Sequence, residues 1–254
     1  MTPDPHLLNA IRFLTVLPTP RSDGTPAPDW LARAMKYFPL VGAGIGLASA
    51  SVFVVGCQIW SPLIGAILAI AASMVLTSAL HEDGLADTID AFGGGWTVEK
   101  RLAIMKDSRI GTYGALALGI GCALRITALT MLPIWTGATA LIAMHAAARA
   151  MPAFVMNRLA YSGDTAAMKV SYIETPVRSE EMAFLLVTAA LAAIPLALIS
   201  FKSVVIGLLL GGLLGAMLAG WAKRAIGGYT GDVLGAIEQL FEIGFLLGIA
   251  AVFR

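Results

Sequence analysis

Charge and cysteine are both scarce in this chain. Asp, Glu, Lys and Arg make up 13% of its 254 residues, about half the usual share for a soluble domain. That shortage excludes an ordinary soluble globule. The net charge of +1 leaves no basic excess, so no nucleic acid is expected as a partner. There are two cysteines, Cys57 and Cys122, both inside apolar runs. They read as packing residues, and neither a disulfide framework nor a thiolate metal site follows from them. No cleavable leader is expected either, because the first apolar run, residues 13–17, is short and stops at Pro18. No convincing internal repeat of the kind seen in transporters is present.

What is abundant is apolar sequence. The chain is 58% hydrophobic with a mean hydropathy of +0.82. Several runs of about 20 residues can cross a hydrocarbon core as helix. The expectation is one all-α polytopic membrane domain over residues 1–254, with about 6–7 spans near 40–60, 62–80, 112–135, 138–157, 182–201, 203–221 and 233–253. Two short amphipathic helices precede them, at 7–17 and from Asp29 onward. They suit either the membrane interface or packing on the bundle. Asp29 can cap the second, with Arg33 and Lys36 off its apolar face. With the N-terminus inside, thirteen Lys and Arg fall on the cytoplasmic side and two outside, a strong positive-inside asymmetry. The segments 81–114, 158–181 and 222–232 then face the cytoplasm, and the chemistry with them.

Residues 81–114 form a polar island in this apolar chain, with six of the sixteen acidic residues and four of the seventeen basic ones. Asp83, Asp87 and Asp90 are spaced i, i+4, i+7 and share a helix face, with Glu82 about a quarter turn away. Clustered carboxylates repel unless a cation neutralises them. Hard oxygen ligands suit Mg²⁺, Mn²⁺ or Ca²⁺, so these four acids are the expected metal ligands. A merely solvated helix end is the plainer explanation. His81 reads as an interfacial residue and stays outside this set. Three glycines, 93–95, break the helix; Thr97 can cap the next, with Glu99 in its first turn. Residues 105–114 (MKDSRIGTYG) bring Lys106, Ser108, Arg109 and Thr112 together with two glycines, a grouping that suits phosphate oxygens. Asp107 either joins the metal set or orients Arg109. Residues 223–232 repeat these ingredients with Lys223, Arg224, two glycines, Thr230 and Asp232. Glu238 and Glu242 lie inside the last apolar run, where carboxylates are costly. Arg125, His145 and Arg149 are their candidate partners. Arg125 lies ~20 Å along its helix from residue 111, too deep to snorkel, and is expected to be paired. Lys169, Tyr172, Glu174 and Arg178 could contact a soluble substrate or belong to a plain connecting loop.

At these residues the chain resembles the cobalamin synthase family (CobS). The resemblance runs through residues 11–18 (IRFLTVLP), 37–42 (YFPLVG), 81–87 (HEDGLAD), 90–92 (DAF), 105–114 (MKDSRIGTYG), 228–236 (GYTGDVLGA) and Glu238. It implies a multi-pass enzyme of the bacterial cytoplasmic (inner) membrane that needs Mg²⁺. Its substrates would be adenosylcobinamide-GDP and α-ribazole or its 5′-phosphate, and its products adenosylcobalamin or its 5′-phosphate and GMP. This is the late nucleotide-loop assembly step of cobalamin biosynthesis. A homo-oligomer, or a complex with other cobalamin-assembly enzymes, is compatible with it. The implied roles are catalysis by Asp83, Asp87, Asp90, Lys106 and Arg109, and phosphate binding by Lys106, Ser108, Arg109, Thr112, Thr230 and Asp232. Two other classes compete. A Mg²⁺-dependent phosphotransferase acting on a CDP-alcohol or polyprenyl phosphate would use similar acids, but its DxxDGxxAR…GxxxD pattern is absent. A transporter would use Arg125, His145, Glu238 and Glu242 as a relay.

Overall fold

The computed structural model describes residues 4–20, 27–163 and 175–253. Its elements are α1 (Pro5–Leu14), α2 (Trp30–Ala34), a 3₁₀ turn (Met35–Tyr37), α3 (Phe38–Ile59), α4 (Pro62–Thr77), α5 (Leu80–Gly94) and α6 (Val98–Met105). These are followed by α7 (Thr112–Thr130), α8 (Ile134–Ala148), α9 (Met151–Met156), α10 (Ser179–Ile226) and α11 (Gly231–Ala250). Among the described residues there is no strand, only an isolated bridge between Tyr161 and Tyr229. Among the described residues, five helical stretches are long and apolar enough to cross a membrane, and six if the bent pair α4–α5 is one span. The protein is an all-α polytopic bundle.

α10 is 48 residues long, but Ser200 at φ −157°, ψ 99° breaks it. The Ser200 hydroxyl accepts from Ser203 N at 3.2 Å and so starts the second arm. Leu185 in the first arm packs with Leu31 and Phe38. In the second arm Gly207 approaches Phe245 and Gly215 approaches Ile237. Both ends of α10 therefore reach the same end of the bundle, and the break supplies the two spans that the sequence separates near residue 202.

The polar island folds differently from a loop. α4 stops at Thr77, and Ser78 and Ala79 both take left-handed conformations, each at φ 53°. Such conformations cost of order 1–3 kcal/mol each outside glycine. The Ala79 N–H turns back to Met74 O at 2.8 Å, and α5 leaves α4 at 91°. α5 then packs between α7 and α11. A Cβ on Gly121 would stand 3.2 Å from Ile243 and near Leu85, and one on Gly84 would stand 2.7 Å from Asp232 O. The Glu82 end of α5 thus lies deep beside Arg125, and the Asp90 end lies at the mouth of the bundle beside Gly111 and Gly114.

The N-terminal helices pack on the bundle. Leu14, Leu31, Met35 and Phe38 share one cluster with Ala150, Ala153, Val177 and Leu185. Arg33 is not on an outer face: it is buried, paired with Glu181 and with Asp29 at 3.1 Å. Asp29 makes no capping hydrogen bond because it accepts from Arg33 Nε instead. Thr97 does cap α6, accepting from Lys100 N at 3.2 Å.

Candidate active site

The four clustered acids, Glu82, Asp83, Asp87 and Asp90, have three different environments. Asp90 is buried and accepts from Gly111 N at 2.7 Å and Gly114 N at 2.8 Å. It is the anion at the N-terminus of α7, where free N–H groups and the helix dipole favour negative charge. A side chain at either glycine would collide with its carboxylate. The two glycines therefore make room for Asp90, and their N–H groups are not presented to a phosphate. Glu82 is also buried, and its Oε1 receives Gln239 Nε2 at 3.1 Å and both Arg125 Nη atoms at 3.4 Å. Asp90 thus leaves the expected ligand grouping, because protein donors already hold both its oxygens; Glu82 is held through Oε1 alone, and its buried Oε2 has no hydrogen-bond partner among the described residues.

Asp83 and Asp87 remain, and the fold adds a third acid. Asp83 is exposed and Asp87 half-buried. The close approach of α11 at Gly84 brings Asp232 to them, and Asp83, Asp232 and Asp90 all lie near enough to Asp87 to act on its charge. Among the described residues no group of three or more His, Cys, Asp or Glu forms a ready metal cage. Mg²⁺, however, is commonly held by one or two carboxylates together with substrate phosphates. The donor set at Asp83, Asp87 and Asp232 suits that mode, and the missing Cβ at Gly84 is what lets the two helices converge.

The basic side of the island stands at the same end. Lys106, Ser108, Arg109 and Thr112 are exposed. Arg109 is clasped by Asp107, with Nη2–Oδ2 at 2.6 Å and Nε–Oδ1 at 3.0 Å. These hydrogen bonds, from side chain and backbone, hold the Asp107 carboxyl down at about 2 and push the Arg109 guanidinium upward. Asp107 thus orients Arg109 rather than joining the acids. Thr230 is buried, and its hydroxyl caps α11 by accepting from Val233 N at 3.3 Å, so it is not free to meet a phosphate. The glycine turn beside it is structural too. Gly227 ends α10 at φ 83°, a conformation that favours glycine. Gly228 lets Tyr229 N reach Ala160 O at 3.0 Å, and Tyr229 O receives Ser162 N at 2.8 Å. Arg101 Nη1 donates to Ala225 O at 2.7 Å, a cation at a helix C-terminus. Arg178 lies at the start of α10. Lys169, Tyr172 and Glu174 lie outside the described residues.

Below the acids, Arg125 bridges Glu82 and Glu242, the latter at 3.0 Å. Glu242 Oε1 also meets His145 Nδ1 at 2.9 Å and Arg149 Nη1 at 3.1 Å. Arg125 is therefore paired as expected, and Arg149 is buried in the same network rather than snorkelling.

Two residues outside the expected site belong beside it. A cavity of about 240 Å³ opens between α1, α2, α5 and α11. Asp83 and Asp232 line it, together with His81 and Glu238. His81 Nε2 stands 3.0 Å from Glu238 Oε2, out of line for a hydrogen bond. Glu238 was visible as a carboxylate inside an apolar run, and His81 as the first residue of the polar island. Their pairing across 157 positions was not.

Comparison with known proteins identifies the family. The family model described as CobS, cobalamin-5-phosphate synthase, matches residues 6–250. A relative from Bradyrhizobium diazoefficiens, named adenosylcobinamide-GDP ribazoletransferase, is 45% identical over 96% of this chain and 92% of its own. A relative of the same name from Shewanella piezotolerans is 42% identical over 93% and 91%, and one from Leptothrix cholodnii is 38% identical over 94% and 92%. No solved structure matches the chain. A family model spanning nearly every residue, and relatives covered almost end to end, place this chain in the CobS family of cobalamin-5-phosphate synthases.

Proposed function

We propose that the chain joins adenosylcobinamide-GDP to α-ribazole or its 5′-phosphate, releasing GMP; the relatives that support this reading are named adenosylcobinamide-GDP ribazoletransferase. The observation that carries this reading is the meeting of Asp83, Asp87 and Asp232 at the mouth of a cavity, with Lys106 and Arg109 at the same end of the bundle. Phosphoryl transfer needs in-line positioning and charge neutralisation more than covalent help from the protein.

A ribose hydroxyl of the acceptor attacks the phosphorus on the cobinamide side of the pyrophosphate. The new P–O bond forms as the bond from that phosphorus to the bridging oxygen breaks, and GMP leaves with that oxygen. The hydroxyl proton passes to a carboxylate oxygen of Asp87, which lies half-buried between the other acids. Asp83 and Asp232 would hold Mg²⁺, which when bound neutralises charge on the pyrophosphate and leaving phosphate. Lys106 takes a non-bridging oxygen, and Arg109 does so by exchanging Asp107 for the phosphate. Asp90 and Glu82 position α5: one fixes its outer end to α7, the other its inner end to Arg125.

The positive-inside asymmetry supports a bacterial inner-membrane protein with this end of the bundle in the cytoplasm. The test is GMP release from adenosylcobinamide-GDP and α-ribazole by detergent-purified protein, with Mg²⁺ and then with EDTA. Metal-dependent GMP accompanied by a corrinoid product is expected. Folded protein that releases no GMP refutes the reading and turns attention to lipid phosphate acceptors.

A further inference from the structure

The cavity beside the acids has a distinct chemistry. Phe13, Leu14, Leu31, Met35 and Phe38 form one side. The rings of Phe13 and Phe38 stack at 5.7 Å with 16° between planes. The other side is His81, Asp83, Asp232 and Glu238. Glu238 is 3% exposed, and its Oε2 stands 3.0 Å from His81 Nε2 without making an aligned hydrogen bond. Apolar walls with a few convergent polar groups are the usual make-up of a small-molecule pocket.

We infer that this cavity binds the nucleoside acceptor, with its benzimidazole-type ring against Phe13, Leu31 and Met35 and its ribose toward Asp83, Asp232 and Glu238. The inference rests on the reaction proposed above and assigns one of its two substrates to a place. Size comes first. About 240 Å³ is small even for a drug-sized ligand site, and it excludes the corrin macrocycle of the donor. Charge comes second. Among the described residues no Lys or Arg lines the cavity, so none of them holds the pyrophosphate or an acceptor 5′-phosphate inside it. Hydrogen bonding comes third. A guanine ring could offer N1–H and N2–H₂ to the three carboxylates of the lining, but its acceptors O6 and N7 would find one imidazole side chain at most. A benzimidazole ring makes few such demands, and its riboside brings hydroxyl donors instead. One of them meets the buried Glu238 carboxylate, whose Oε2 has His81 Nε2 beside it but no aligned hydrogen bond, an arrangement that a hydroxyl donor improves. Another stands at the rim, beside the acids where the phosphorus must come.

The inference also gives the N-terminal helices a task. Phe13, Leu14, Leu31 and Met35 come from α1, α2 and the 3₁₀ turn, and close the cavity that α5 and α11 alone would leave open.

The test separates binding from turnover. Equilibrium dialysis of α-ribazole against the full-length, detergent-purified chain, without donor, reads the pocket. Steady-state GMP release reads the reaction. Phe13→Ala removes a wall at a half-buried position, and Leu31→Trp fills the space. Both are expected to weaken α-ribazole binding at least about tenfold and to raise its KM in step, with the KM for adenosylcobinamide-GDP moving less than about twofold. If Leu31→Trp does not fold, Phe13→Ala carries the test alone, and unchanged α-ribazole affinity in it overturns the inference. A rise in the donor KM or in the GMP inhibition constant, without a change for the acceptor, assigns the cavity to the guanosine end and overturns it too. α-Ribazole binding that these walls control in a protein that releases no GMP upholds the pocket and rejects the reaction. GMP release with acceptor KM and affinity untouched by either substitution does the reverse.

Discussion

Arg125→Met should be among the most damaging single changes in the chain, and a second substitution should undo much of the harm. Arg125 is 2% exposed, Glu82 6% and Glu242 1%. Two arginines, 125 and 149, face two glutamates, 82 and 242, so the cluster is neutral when His145 is neutral. Methionine keeps the apolar stem and removes one positive charge. Glu242 retains Arg149 at 3.1 Å and His145 at 2.9 Å, but Glu82 keeps only Gln239. Removing one partner of a buried ion pair costs ~3–5 kcal/mol, because an uncompensated charge stays behind. That is about two to four decades in the folded fraction. Adding Glu82→Gln restores neutrality, so the double variant should lie only ~1–2 kcal/mol below wild type, with a coupling of ~2–3 kcal/mol. Reversible unfolding in mixed micelles, run on wild type, both singles and the double, measures all four corners. Strict additivity, or an Arg125→Met protein within ~1 kcal/mol of wild type, would show that Arg125 does not hold α5 through Glu82.

Asp83→Asn and Asp87→Asn should each cut GMP release at least about 100-fold while the protein still inserts and folds; full activity in both sinks the assignment of these acids. Gly114→Ala should destabilise the chain by ~1–3 kcal/mol, since the new methyl meets the Asp90 carboxylate and Ala86 O; an unchanged melting temperature would mean α5 and α7 slip apart freely. Asp107 sits at about 2, below its ordinary 3.8. A carboxyl depressed by folding stabilises above its unfolded pKa and loses that contribution as pH falls through the folded one. The stability gap between wild type and Asp107→Asn should therefore be flat from neutrality to about pH 5 and close toward about pH 2. It should be small and salt-sensitive, because the pair is exposed; a gap that widens on acidification contradicts the pairing. Arg33→Ala, which leaves Glu181 buried beside the N-terminal helices, should loosen α2 and raise protease sensitivity between residues 14 and 35, and equal cleavage of both proteins argues against that tie.

The spans were legible because hydropathy and length report the bilayer directly, and even the break in α10 lay within two residues of the expected loop. Cap chemistry was legible at Thr97, where the donor lies three residues away. What failed to show was everything that joined distant segments. The i, i+4, i+7 spacing of Asp83, Asp87 and Asp90 gave the helix correctly but not its neighbours. α7 claims Asp90, Arg125 claims Glu82, and Asp232, assigned from sequence to phosphate, becomes the third acid. The glycines of residues 105–114 looked like phosphate ligands because an anion does sit on their N–H groups; that anion is the protein's own. Nor does sequence distinguish a polar loop from a polar helix inserted into a bundle, since both begin where an apolar run ends. The left-handed pair Ser78–Ala79 carries no glycine to announce it. A helix bearing five charged or ionisable residues in its first eleven positions enters this apolar surround because buried partners already wait at its deep end. Arg125 and Gln239 meet Glu82, and Glu238 meets His81. The costly charges of the membrane interior and the acids at the mouth are thus parts of one device: the first fix the depth of α5, and that depth sets Asp83 and Asp87 against Asp232.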